Sequence, residues 1–187
     1  MKFNNVFILS PGRCGSMTLI KACSHIQNYT SRHESGRTLA SHEKYNLKYP
    51  SNHIESDNRL SWFLGSIDKI YGNSAFYLKL ERNRLKIIES YLKRKKYNQG
   101  IVPAFAINIF QQKKWDISNE GYKWAVKHYV NTVYDNIDHF LHNKSNKLDL
   151  DIDNPSEKFH EFWGKISAEG NVDEALNEFI KKYNSSH

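Results

Sequence analysis

Residues 3–18 read FNNVFILSPGRCGSMT, and the fold turns on how this stretch divides. Phe3 to Ser10 is a short run rich in β-branched and aromatic side chains, the composition of a buried strand, and Pro11-Gly12 breaks it with a tight loop. From Gly15 to Ile26, Met17, Leu19, Ile20, Ala22 and Cys23 fall on a helical face. The order is strand, glycine-bearing loop, helix. In an open parallel sheet ligands bind beyond the carboxyl ends of the strands, and a helix that starts just after the first strand offers free N–H groups to an anion. Gly12-Arg13-Cys14-Gly15-Ser16-Met17-Thr18 occupies that place. The glycines permit close backbone approach, Arg13 carries a permanent charge, and the hydroxyls of Ser16 and Thr18 can donate to phosphate oxygens.

Downstream, strands and helices keep alternating. Residues 28–33 (NYTSRH) form a weakly patterned second strand followed by the loop Glu34-Ser35-Gly36, and residues 37–56 are polar and irregular. Asp57 caps a helix running to Tyr71, with Leu60, Phe63, Leu64, Ile67 and Ile70 at helical spacing, Trp62 read as core, and Gly72-Asn73 as the stop. Residues 75–80 (AFYLKL) are a third strand, and Leu85, Ile88, Tyr91 and Leu92 mark a helix that runs into the basic cluster Lys93 to Lys96. Asn98-Gln99-Gly100 and Pro103 punctuate the connection to a long helix starting near Asn119, whose Tyr122, Val126, Tyr129, Val130, Val133, Ile137, Phe140 and Leu141 make a core stripe. Residues 148–152 (LDLDI) alternate as a strand, and Val172, Ala175, Leu176, Phe179 and Ile180 mark a closing helix. This alternation predicts an α/β fold: a parallel β-sheet flanked by helices, with a helical C-terminal half, in a single domain over residues 1–187.

The chain has 27 Lys and Arg against 20 Asp and Glu, a net charge of +7, which favours nucleic acid, phosphorylated or sulfated small molecules, or acidic glycans. Cys14 and Cys23 cannot make a disulfide framework, and their spacing to His25 and His33 matches no zinc pattern, so no metal is expected. The apolar run Val6 to Leu9 is far shorter than a signal-peptide core or a membrane span of ~20 residues. A soluble, cytoplasmic chain is expected. The loop at 12–18 is not a Walker A sequence, because no Lys precedes its hydroxyl residue, and Cys14 does not begin a C-x5-R phosphatase loop, because Ile20 stands where the arginine would be.

A second segment, LERNRLKIIESYL at 80–92, follows the third strand. Arg82 leaves the strand end and can grip a phosphate bidentately, and Ser90, eight residues on, adds a hydroxyl from the helix. Together with SPGRCGSMTL at 10–19, this segment resembles the sulfotransferase family that uses 3′-phosphoadenosine 5′-phosphosulfate (PAPS). The first segment is similar to that family's 5′-phosphosulfate loop, a basic residue followed by glycine and hydroxyl residues after strand one. The second is similar to its 3′-phosphate motif of a strand-end Arg and a helical Ser. The order of elements agrees over residues 3–97.

The resemblance implies a P-loop-like three-layer fold. It assigns Arg13, Cys14, Gly15, Ser16 and Met17, with Thr18, to the 5′-phosphosulfate, and Arg82 and Ser90 to the 3′-phosphate. Arg13 is then also catalytic, through charge on the transferring sulfuryl group, and no metal is required. Met17 departs from the family pattern at a position often held by a hydroxyl residue, and Arg84 replaces a frequent Pro. The base expected for a hydroxyl acceptor is Glu34, at the end of strand two, or its neighbour His33; His42 and Glu43 are further candidates. Residues 53–65 (HIESDNRLSWFLG) either line an acceptor cleft or cap and solvate a helix. The implied activity is sulfuryl transfer from PAPS to a hydroxyl or amine of a carbohydrate or small molecule, leaving adenosine 3′,5′-bisphosphate. The alternatives are a non-catalytic module that binds an adenine bisphosphate, and a nucleic-acid-binding protein using Lys93 to Lys96 with Tyr91 and Tyr97.

Overall fold

The strand within 3–18 spans Asn5–Leu9 (β1), and all five of its residues are buried. Burial of successive side chains on opposite faces requires cover above and below, as for a central strand of a parallel sheet. The computed structural model describes residues 3–35, 47–94, 100–112 and 118–181. It pairs β1 within a five-stranded sheet with β2 (Thr30–His33), β3 (His53–Ser56), β4 (Phe76–Glu81) and β5 (Lys147–Asp151). The order is β2-β3-β1-β4-β5, and every pairing is parallel.

Seven helices flank the sheet among the described residues: α1 (Ser16–Cys23), α2 (Leu64–Tyr71), α3 (Arg84–Leu92), α4 (Ile101–Ala104), α5 (Asn119–His142), α6 (Ser156–Lys165) and α7 (Val172–Asn177). Neighbouring residues of β4 show that both faces are covered. Tyr77 meets Phe140 of α5 edge-on at 5.0 Å, and Phe76, pointing the other way, meets Phe162 of α6 at 5.9 Å. On the Tyr77 side, α5 packs against α2, α3 and α4; on the other, α7 joins α1 to α6. The α/β architecture expected from the sequence is therefore the observed one. No described helix is long and apolar enough to cross a membrane, and no group of three or more His, Cys, Asp or Glu residues among the described residues could hold a metal ion.

Several elements differ from the sequence reading. The stretch 37–56 was expected to be irregular, yet its last residues form β3, inserted between β2 and β1 with all four residues buried. His53, Glu55 and Ser56 disguise it as loop. They can be buried because they are hydrogen-bonded: His53 Nε2 lies 2.8 Å from Glu55 Oε2, and His53 Nδ1 lies 2.9 Å from Thr30 Oγ1. The helix expected over 57–71 is split. Asp57 does cap, accepting from the Arg59 N–H at 2.9 Å, but what it caps is a 3₁₀ turn, Asn58–Trp62, and Phe63 (φ −122°) breaks the path before α2. The break carries Trp62 to the surface, 38% exposed, instead of into the core. Phe159, Phe162 and Ile166 anchor α6, a helix that no pattern described for the sequence marks. The closing helix ends at Asn177, leaving Ile180 exposed. His42, Glu43, Lys95, Lys96 and Tyr97 lie outside the described residues.

Phe7 is fully buried and its ring meets Tyr49, Tyr71 and Tyr77. Phe7→Ala is expected to cost about 3–5 kcal/mol of unfolding free energy. Leu85→Ala, at a site 68% exposed, should stay within about 0.5 kcal/mol of the parent. Urea denaturation of the two variants checks both values.

Candidate active site

Beyond β1 the chain turns through three left-handed residues, Gly12 (φ 83°), Arg13 (φ 59°) and Gly15 (φ 81°), before α1 begins at Ser16. Neither glycine could carry a side chain. A Cβ on Gly12 would stand 2.8 Å from the Tyr91 hydroxyl, and one on Gly15 would stand 2.6 Å from Ile152, just past β5. The loop is gripped from the helical side. Tyr91 of α3 and Tyr129 of α5 both donate to the Pro11 carbonyl, at 2.6 and 2.8 Å, and the Asn58 side chain lies beside both phenols and beside Gly12. Burial holds both phenols well above their ordinary range, so each remains a donor. Gly15 caps α1 without a side-chain acceptor, and no acidic residue lies in the first turn. The N–H groups of that turn, Ser16, Met17 and Thr18, therefore point out of the helix with no intrahelical acceptor.

Cationic and hydroxyl groups gather beside this loop. Arg13 Nε donates to Ser90 Oγ at 2.9 Å, joining the first sequence segment to the second, and Arg82 Nη1 donates to the Arg13 carbonyl at 3.0 Å. Arg82 Nε is buried and has no hydrogen-bond partner; the nearest acid, Asp153, stands 3.9 Å away and is engaged by Lys86 at 3.0 Å. The Arg13 pKa is lowered, first by burial and then by the like charge of Arg94 and, less, of Arg82. Asn83 fixes the start of α3 by accepting from the Leu85 and Lys86 N–H groups. This cap sets the helix phase that turns Ser90 toward Arg13.

The other wall comes from the ends of β2 and β3. His33 Nε2 lies 2.9 Å from Ser16 Oγ at the start of α1. Glu34 follows in a left-handed conformation (φ 52°), its N–H bonded to the Ser56 carbonyl. Ser35 is anchored through its N–H and its hydroxyl to the buried carboxylate of Glu55. Arg59 forks onto Asp57, and its pKa is raised by those bonds against desolvation, with Glu34 adding a smaller attraction.

The structure thus gathers Arg13, Gly15, Ser16, Arg82, Ser90, His33 and Glu34 along one edge of the sheet, with Met17 and Thr18 half-buried in the first turn of α1. Cys14 is the exception. Its side chain points inward, fully buried, with Sγ 3.2 Å from the Gly12 carbonyl and 3.4 Å from the Tyr134 hydroxyl. Only its backbone can meet an anion. Burial pushes its thiol up to about 12. Sequence reasoning missed the gripping residues: Tyr129 reads as one more core position, and Tyr91 and Asn58 carry no local signal that they converge on Pro11. The segment 53–65 divides its roles, with His53 and Glu55 supporting the β2 end and Asn58 supporting the loop.

No protein-family model and no curated protein sequence matches the chain. Among solved structures, it resembles the crystal structure of a sulfotransferase from Alicyclobacillus acidocaldarius, with a TM-score of 0.57 and 13% sequence identity over 92% of this chain and 85% of that one. At that identity the likeness is one of fold. The chain has a sulfotransferase-like, P-loop-like α/β fold.

Both thiols are buried and raised, Cys23 by burial alone. Neither should react with a disulfide reagent at pH 8 in the folded protein, whereas both react in denaturant. An unfolded chain ionises Cys14 near the ordinary 9.0 while the folded chain holds it protonated to about 12, so this group costs stability as pH rises through that window. Cys14→Ala is expected to flatten the loss of stability between pH 9 and 11, measured by urea unfolding.

Proposed function

We propose that the chain is a PAPS-dependent sulfotransferase acting on a hydroxyl-bearing acceptor, either a carbohydrate or a small molecule. The observation that carries this reading is the meeting of the two sequence segments through the Arg13–Ser90 hydrogen bond, beside an uncapped helix N-terminus and a buried Arg82 Nε without a partner. The residues fit such a donor. An anion against Arg82 supplies the missing acceptor, and the absent Cβ atoms of Gly12 and Gly15 leave the backbone approachable.

When bound, PAPS supplies an activated sulfuryl group whose leaving group is the phosphate of adenosine 3′,5′-bisphosphate. The N–H groups of Gly15 to Thr18 and the Arg13 guanidinium bind the 5′-phosphosulfate and stabilise the charge that moves onto its oxygens. Arg82 and Ser90 hold the 3′-phosphate and fix the position of the nucleotide. His33 orients Ser16, to which it is bonded. Glu34, next to it, takes the proton from the acceptor hydroxyl, with Arg59 close to its charge. The anchoring of Ser35 on Glu55 keeps the Glu34 backbone from drifting away from the loop.

Arg82→Ala should weaken adenosine 3′,5′-bisphosphate binding about tenfold to a hundredfold and leave adenosine 5′-monophosphate within about twofold; calorimetric titration of both nucleotides measures the split, and equal losses would remove Arg82 from the 3′-phosphate. Glu34→Gln should keep donor affinity and lower turnover by about a hundredfold or more. This is read as release of adenosine 3′,5′-bisphosphate from PAPS over a panel of sugar and phenol acceptors. Loss of donor affinity instead would make Glu34 structural, and tight binding with no acceptor turned over would leave the chain a bisphosphate-binding module.

A further inference from the structure

Arg94 lies outside both sequence segments. After α3 ends at Leu92 the chain keeps a helical path, with the Lys93 N–H bonded to the Glu89 carbonyl at 3.1 Å and the Arg94 N–H to the Tyr91 carbonyl at 2.9 Å. Arg94 therefore follows Ser90 by one helical turn, on the same side of the chain. Ser90 is the residue whose hydroxyl takes the Arg13 guanidinium. The Arg94 side chain is half-buried, and its guanidinium has no hydrogen-bond or ion-pair partner among the described residues. Its charge acts on Arg13, whose carbonyl in turn accepts from Arg82, a residue with its own buried and unsatisfied Nε.

We infer that Arg94 is a third guanidinium of the anion site and binds the 3′-phosphate together with Arg82 and Ser90. This rests on the proposed PAPS reading and extends it to a residue neither motif contains. Guanidiniums that share a half-buried edge repel one another, and among the described residues the carboxylate of Asp153 approaches Arg82 at 3.9 Å but is already engaged by Lys86. The repulsion is visible at Arg13, where Arg94 contributes more to the lowered pKa than Arg82 does. A doubly charged phosphate monoester between Arg82 and Arg94 removes it and satisfies both unpartnered groups. A role limited to the C-terminal dipole of α3 would be served equally well by a fully solvated side chain, and it needs no neighbouring arginines.

The test compares adenosine 3′,5′-bisphosphate with adenosine 5′-phosphosulfate, which lacks the 3′-phosphate, by calorimetric titration of the full chain. Arg94→Ala should raise the dissociation constant of the bisphosphate about tenfold to a hundredfold and leave adenosine 5′-phosphosulfate within about twofold. Arg94→Lys should recover part of the loss. Equal loss for both nucleotides, or none for either, overturns the role of Arg94. If the parent protein itself does not prefer the bisphosphate, the PAPS reading falls and this inference with it; if the parent prefers it and Arg94→Ala keeps the whole preference, only this inference falls. A measurement on the unsubstituted protein removes any dependence on the variants folding. Phenylglyoxal should modify Arg94 in the free protein, detected by peptide mass, and adenosine 3′,5′-bisphosphate should protect it where adenosine 5′-monophosphate does not. Modification unaffected by the bisphosphate overturns the inference.

Discussion

Two tyrosine hydroxyls on one carbonyl oxygen hold the functional edge of this protein together. Tyr91 and Tyr129 come from α3 and α5, cross at 83° with their rings 5.8 Å apart, and both lone pairs of the Pro11 carbonyl are taken by their O–H groups. Asn58, from the turn after β3, packs beside the two phenols and Gly12. Elements far apart in sequence are thereby tied at the point where β1 gives way to its loop. The loop needs this. Arg13 sits at a positive φ that costs a residue with a side chain roughly 1–2 kcal/mol, and such conformations persist only where the surroundings over-determine them. The same conformation turns the N–H groups of the α1 N-terminus outward and brings the Arg13 side chain to Ser90.

The strand order places this knot where a ligand is expected. β1 lies between β3 and β4, so the chain leaves the carboxyl end of β1 toward one side of the sheet and the carboxyl end of β4 toward another, opening a crevice above the strand ends. The two walls of the crevice differ in chemistry. Toward β4 they are cationic, with Arg13, Arg82, Lys86 and Arg94; toward β2 they hold His33, Glu34 and the Arg59–Asp57 pair. His33 joins the two walls through its contact with Ser16 Oγ at the start of α1.

Much of this was legible in the sequence, for reasons that differ by residue. β1, its loop and α1 could be read because an apolar run, Pro11-Gly12 and a helical face are each local signals. Arg82 and Ser90 stand out only through the resemblance of their segment to a 3′-phosphate motif, because an Arg and a Ser at that spacing carry little signal alone. β3 could not be read, since the partners that make His53 and Glu55 buriable lie on β2 and in the loop after it, more than twenty residues away in the case of His53 and Thr30. Trp62 reads as core because Leu60 and Phe63 share its helical spacing, and only the dihedrals of Phe63 turn it outward. Cys14 sits within the loop pattern yet faces Tyr134, because left-handed residues on either side of it reverse the direction in which a regular turn would send its side chain. Arg94 belongs to no pattern and becomes visible only when its turn of helix is seen beside Arg13.

The proposed donor site recognises a nucleotide by two separate anions. Isothermal titration of the unmodified protein with adenosine 3′,5′-bisphosphate, at fixed salt and with adenosine 5′-monophosphate and ATP as controls, tests it most directly. Saturable one-to-one binding of the bisphosphate, at least about tenfold tighter than either control, is expected. Equal affinity for all three, or no measurable binding of any, would contradict it and return the basic surface to a general role in binding polyanions.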